Sequence, residues 1–240
     1  MRYYRCVQAT LVLCLVGSSW AAQVGADEGQ VLPPIDQRFE RGKTDEVPDF
    51  QRHVVPLFGR LGCNGRACHG SFQGKGGFQL SLFGYDFKSD HAALINEDNP
   101  RVDVDDPEFS LIIAKPTDAD DHEGGQRYEE DSWQYHVLHR WIEKGARYET
   151  QGAKKLMSLD VEPAEIDFHG PGQNVQLKAI AVWEDGTREN VTPLCRFRTN
   201  NEEVATVDEN GVVASGEPGD THVVVFYDNG IAPIPVLRPV

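Results

Sequence analysis

The sequence predicts two domains, a mainly α N-terminal domain followed by an all-β sandwich. Two observations predict it. Apolar residues recur at threes and fours in runs between residues 48 and 147, the spacing of a helix face. From Leu159 onward they alternate, and turn residues cut the alternation into short stretches, the spacing of strands. A chain of 240 residues is long enough to give each unit its own core.

In chain order, the first element is an address. Arg2 and Arg5 form a positive start, Cys6 to Val16 is largely apolar, and small residues follow at Gly17, Ser18, Ser19, Ala21 and Ala22. Residues 1–26 therefore read as a secretory signal peptide, cleaved after Ala21 or Ala26. The apolar run is short for a bilayer span, and no later stretch is apolar enough to cross. The expectation is an extracytoplasmic protein, periplasmic, cell-surface or secreted, with no membrane span after cleavage. Removal of the signal takes Cys6 and Cys14 and leaves Cys63, Cys68 and Cys195. The formal charge of −15 excludes nucleic acid as a partner, because phosphate contacts need clustered Lys and Arg.

Residues 27–47 are polar, carry Pro33-Pro34 and read as a linker or arm. From Pro48 the pattern is helical, with Phe50, Val54, Leu57, Phe58 and Leu61 on one face, Asp49 placed to cap and Pro56 to kink. This helix leads into Cys63-Asn64-Gly65-Arg66-Ala67-Cys68-His69. Two nearby cysteines with histidine directly after the second suit covalent haem attachment. Each thiol adds to a haem vinyl group and the imidazole reaches the iron. The usual spacing has two residues between the cysteines, and this chain has four. A Cys63–Cys68 disulfide loop and a zinc site using His69 stay open as readings of the motif by itself.

A glycine-rich turn, Gly70 to Gly77, leads to Phe78, Leu80 and Leu82, whose alternation predicts a short extended segment. Phe72, Phe78 and Leu80 are candidates to shield a flat ligand. Residues 86–131 are polar and punctuated by prolines, with one apolar island at 109–113. Their acidic clusters lack the glycine-turned spacing of a calcium loop. A helix then begins at Asp131 or Ser132, with Trp133, Val137, Leu138, Trp141 and Ile142 on its apolar face and Gly145 ending it. His136 and His139 fall away from that face and are expected in solvent. Beyond Leu159, strands are expected at 175–181, 196–199, 205–207, 212–214 and 222–227, and Cys195 as a buried small apolar residue.

The segment Gly62 to Gly70, the run Gly74 to Asp86, Ser110-Leu111-Ile112 with Lys115-Pro116, His122-Glu123-Gly124-Gly125, and Leu138 to Ala146 together resemble the planctomycete-type cytochrome c domain. The resemblance covers roughly residues 48–147, within a domain expected over 48–150, and implies a cytochrome c-like, extracytoplasmic electron-transfer module. It implies one covalent haem c, with Cys63 and Cys68 as thioether attachment points and His69 as proximal iron ligand. No methionine lies between His69 and Met157, so His122 is the candidate distal ligand; His53 and His91 are less favoured. Bis-histidine ligation gives a lower potential than His/Met, because thioether sulfur favours reduced iron. Residues 158–240 resemble a group 2 bacterial immunoglobulin-like (Ig-like) domain, through Gln176 to Ala179, Asp185-Gly186-Thr187, Val204 to Asp208 and Asn210 to Ala214. That likeness implies a module that positions the first domain or docks it to an envelope or cell-surface protein.

The expected function is therefore an exported electron carrier serving a redox partner protein, with no independent catalytic constellation. The alternative is a non-haem cell-surface interaction protein carrying the Cys63–Cys68 disulfide.

Overall fold

The computed structural model describes residues 30–149 and 155–240, so the signal segment with Cys6 and Cys14 lies outside the described residues. Five α-helices are α1 (Ile35–Arg38), α2 (Val55–Arg60), α3 (Phe87–Leu94), α4 (Leu111–Thr117) and α5 (Trp133–Glu143). Strand β1 (Val31–Leu32) precedes them. The rest follow: β2 (Leu156–Glu162), β3 (Ile166–Asp167), β4 (Asn174–Gln176), β5 (Lys178–Trp183), β6 (Arg188–Asn190), β7 (Arg196–Thr199), β8 (Ala205–Val207), β9 (Val212–Ser215), β10 (Gly219–Tyr227) and β11 (Gly230–Arg238). They form three small sheets, ordered β1-β6-β5-β2, β3-β11-β10-β7 and β4-β9-β8. Among the described residues no helix is long and apolar enough to cross a membrane.

This architecture corrects the expected fold class of a mainly α cytochrome c-like domain plus an all-β Ig-like sandwich. Helix accounts for about 24% of the residues and strand for about 26%, with no cytochrome-like helical N-terminal domain among those described. Helices there are short, and α5 is the longest at 11 residues. Glycines and prolines between them hold irregular backbone instead. The stretch read as a linker carries β1, which pairs in parallel with β6, and α1, and it buries Ile35 and Phe39. On the β side there are three sheets rather than two. The alternation over 175–181 is not one strand, because the chain changes sheet at buried Leu177: β4 pairs with β9, while β5 pairs with β2 and β6. Buried apolar side chains of both halves join one core, running from Ile35 and Phe39 through Trp141 to Trp183 and Val236.

The helix expected from Pro48 is built in two parts. Asp49 caps it, its side chain accepting from the Arg52 amide at 2.7 Å, and a wide π-type turn over Phe50–Val54 runs into α2. Pro56 has no N–H to offer the Arg52 carbonyl one turn back. The Tyr227 hydroxyl of β10 donates to that carbonyl instead, at 2.6 Å. Arg52 itself lays its guanidinium 4.5 Å from the Trp183 ring and pairs with Asp185 at 3.0 Å. These contacts fix α2 against the β-sheets.

Glu189, at the centre of β6 and only 1% exposed, is the most buried carboxylate in this junction. Arg38 of α1 pairs with it, and Arg38 also pairs with Glu46. His53 accepts the Asp49 amide at Nδ1 (2.8 Å), so its Nε2–H donates to Glu189 at 3.1 Å. Burial by itself would raise the Glu189 pKa, but His53, Arg38 and Arg52 outweigh it and hold the carboxyl below its ordinary 4.5. The stabilisation from this group is therefore present above about pH 4.5 and is lost as the pH falls through the lower folded value. Glu189→Ala strands two partners in the core and is expected to cost about 3–5 kcal/mol in a urea melt at pH 7. The cost should shrink below pH 4; a loss under about 1 kcal/mol at pH 7 would show that the cluster does not hold the halves together.

Candidate functional site

The cysteine loop begins where α2 ends, with Gly62 in the left-handed region at φ 78°. Its backbone folds on itself: the His69 amide donates to the Cys63 carbonyl at 2.9 Å, and the Cys68 and Gly70 amides donate to the Gly65 carbonyl at 3.0 and 3.1 Å. Asn64, 1% exposed, uses its main-chain carbonyl to accept from the Phe83 amide at 3.0 Å. The extra spacer length thus goes into anchoring the loop to the 82–84 turn. Gly70 is required by close approach, because a Cβ there would lie 2.0 Å from the Asn64 carbonyl oxygen.

The loop borders a partly enclosed cavity of about 280 Å³. Such a volume lies just under the roughly 300–1,000 Å³ of small-molecule and cofactor sites. Phe58 from α2 and Leu61 just after it, Phe78 and Leu80 from the extended segment, Leu111 and Ile112 from α4, and Leu138 from α5 make its apolar walls. Cys63, Cys68, His69 and His122 all line this cavity. Sequence separation had left His122 only a positional candidate; the turn after α4 brings it to the wall of the same cavity as the thiols. That turn is held by Lys115 Nζ, which donates to the Asp121 carbonyl at 3.0 Å and its carboxylate at 2.8 Å.

Both histidines are oriented by main-chain oxygens. His69 Nδ1–H donates to the Phe78 carbonyl at 3.1 Å, and His122 Nδ1–H to the Gly125 carbonyl at 2.8 Å. A carbonyl only accepts, so in the neutral ring each Nε2 carries the lone pair, the tautomer used by a metal-ligating imidazole. Burial lowers the His69 pKa, partly offset by the Phe78 and Lys75 carbonyls, with His122 and Arg101 lowering it further. Phe78 packs its ring 4.8 Å from His69. Cys63 and Cys68 are free thiols. Burial pushes the Cys63 thiol up to about 12 despite nearby Arg127, whose Nη2 lies 3.8 Å from Cys68 Sγ.

Other candidates have structural duties. His53 is held by Glu189, and His91 donates from Nε2 to the Ala146 carbonyl at 2.7 Å. His136 is not in solvent but donates to the Phe39 carbonyl at 2.8 Å, and His139 stacks on Tyr135. Phe72 does not shield the cavity, being 93% exposed, whereas Phe78 and Leu80 line it. Cys195 is buried, with its thiol directed at the Val191 carbonyl. Among the described residues no group of three or more His, Cys, Asp and Glu converges as a metal-ion site. Lys75, Arg101 and Arg127 on the cavity wall, along with Tyr128, escaped the sequence reading. Nothing in local spacing marks them, because the turns that gather them span residues 75 to 128.

No family model matches the chain, and no curated protein matches it. Among solved structures it is similar to domains 4 and 5 of the S-layer protein SbsC, at 16% identity and a TM-score of 0.32, over 36% of this chain and 54% of that one. Domains 5–6 of the same protein give 18% identity and a TM-score of 0.31, over 35% of this chain and 44% of that one. The chain therefore spans about half the length of the first of these, and likeness at this level carries no argument about the site.

Gly74 tests the orientation of His69. At φ 65°, a Cβ on it would fall 2.2 Å from the Phe78 carbonyl oxygen that accepts from the imidazole. Gly74→Ala is expected to destabilise the protein by about 2 kcal/mol or more and to release the ring. The imidazole proton and nitrogen shifts of His69 by NMR report that release; unchanged shifts in a stable variant would sink the assignment.

Proposed function

We propose that this chain is an extracytoplasmic c-type haem protein that carries electrons, with Cys63 and Cys68 as thioether donors and His69 and His122 as axial ligands. The observation that supports it most is the donor set on one apolar cavity: two free thiols and two imidazoles, each with Nδ1 tied to a main-chain carbonyl. Those residues fit the group. Apolar walls suit a flat macrocycle, and neutral imidazoles offer lone pairs. Haem, when bound, supplies one-electron chemistry at its iron.

The chain's own residues do the rest. Phe78, Leu80 and Ile112 exclude water from the cavity, and the Phe78 and Gly125 carbonyls set the tautomer of each histidine. Arg127 keeps a positive charge beside the thiols. The β-sheets, locked to α2 through Tyr227 and Glu189, position the site and leave an acidic exterior for a redox partner of opposite charge. Residues 1–26 supply the export signal that an oxidising, haem-attaching compartment requires.

Expression with a c-type maturation system should give a protein whose haem survives denaturation and shows a pyridine haemochrome spectrum. Cys63→Ser and Cys68→Ser should each leave one thioether, and the double variant none. His122→Ala should change the low-spin spectrum of the bound haem while keeping attachment. A colourless protein joined by a Cys63–Cys68 disulfide, two hydrogens lighter by mass, would overturn the proposal.

A further inference from the structure

The chain has 38 acidic residues against 23 Lys and Arg. Yet Lys75, Arg101 and Arg127, all on the cavity wall, have no carboxylate within ion-pair distance among the described residues. Lys115, the fourth cation there, is already occupied by Asp121. Arg101 and Arg127 are half-buried and Lys75 is exposed, and cations left unpaired beside apolar walls in so acidic a molecule point to an acidic ligand.

The three unpaired cations stand in two places. Arg127 is at the thiols, 3.8 Å from Cys68 Sγ. Arg101 is at Phe78: its guanidinium lies 5.1 Å from the centre of that ring, and Nη2 donates to the Gly76 carbonyl at 3.0 Å, next to Lys75. One hydrogen bond fixes the guanidinium and leaves further N–H groups for a carboxylate. A haem carries its vinyl groups and its two propionates on opposite edges. With the vinyl edge at Cys63 and Cys68, beside Arg127, the propionate edge faces away from that arginine.

We propose that Arg101 and Lys75 form a carboxylate subsite of the cavity that takes the propionates of a porphyrin. This rests on the haem reading above. The subsite gives a reason for the glycine-rich turn to hold the Gly76 carbonyl against Arg101, and it fixes which way round the macrocycle enters.

The test uses the full chain made without haem attachment, its thiols kept reduced, and titrated with protoporphyrin IX or its dimethyl ester. Quenching of tryptophan fluorescence reads binding. The wild type should bind the diacid at least tenfold more tightly than the ester, and raised salt should narrow the gap. Arg101→Gln and Lys75→Gln should each remove most of that preference, Arg101→Lys should retain much of it, and Arg127→Gln should change the binding of both porphyrins alike. Equal binding of the two porphyrins, or a preference that follows Arg127 instead, overturns the subsite and leaves the haem reading standing. Failure to bind either porphyrin, together with a colourless product from the maturation host, overturns both. Circular dichroism on each variant separates loss of binding from loss of fold.

Discussion

Glu189 sits in a strand between two others, where water does not reach it, and its charge has to be met by protein. A buried carboxylate is tolerated only when partners satisfy it. The partners come from two stretches, Arg38 from the arm and His53 from the turn that starts the helix leading to the cysteines, and both meet the carboxylate on β6. The requirement of one charge thus ties the arm and α2 to a sheet. Because α2 ends at Arg60, three residues before Cys63, its placement also sets where the thiols stand.

From that fixed point the cavity is assembled largely by backbone. The loop from Cys63 to His69 closes through its own amides, Leu80 returns its amide to the His69 carbonyl at 2.9 Å, and Asp90 of α3 anchors Ser81 by two hydrogen bonds. Each histidine is aimed by a carbonyl rather than by a side chain. Such orientation tolerates change in neighbouring side chains and is sensitive to change in glycines, whose absent Cβ lets the strands of the loop approach.

The local signals in the sequence were readable wherever a local cause produces the structure. Asp49 caps, Gly145 ends α5, and the strands at 196–199 and 205–207 follow alternation and turns. Ser132 rather than Asp131 caps α5, a choice set by side-chain geometry one residue apart. Helices α3 and α4 were hidden by polar residues and by Pro116, although Asp86 does cap α3 by accepting from the Ser89 amide. The cysteine motif named three of the cavity's donors. What the sequence could not convey is pairing at long range. Arg38 and Glu189 are 151 residues apart, and neither has a local pattern announcing the other. The same gap conceals that one core serves both halves, and so misled the fold class.

The hydroxyl of Tyr227 that replaces the missing Pro56 donor lies 175 residues beyond Arg52. Contacts of such separation close late, because the chain between must be ordered first. During synthesis, α2 and the thiols at its end emerge long before the residue that completes the helix. The thiols are consequently made before the contact that fixes the helix ahead of them. Only the arrival of β10 supplies the hydroxyl that completes the helix ahead of them.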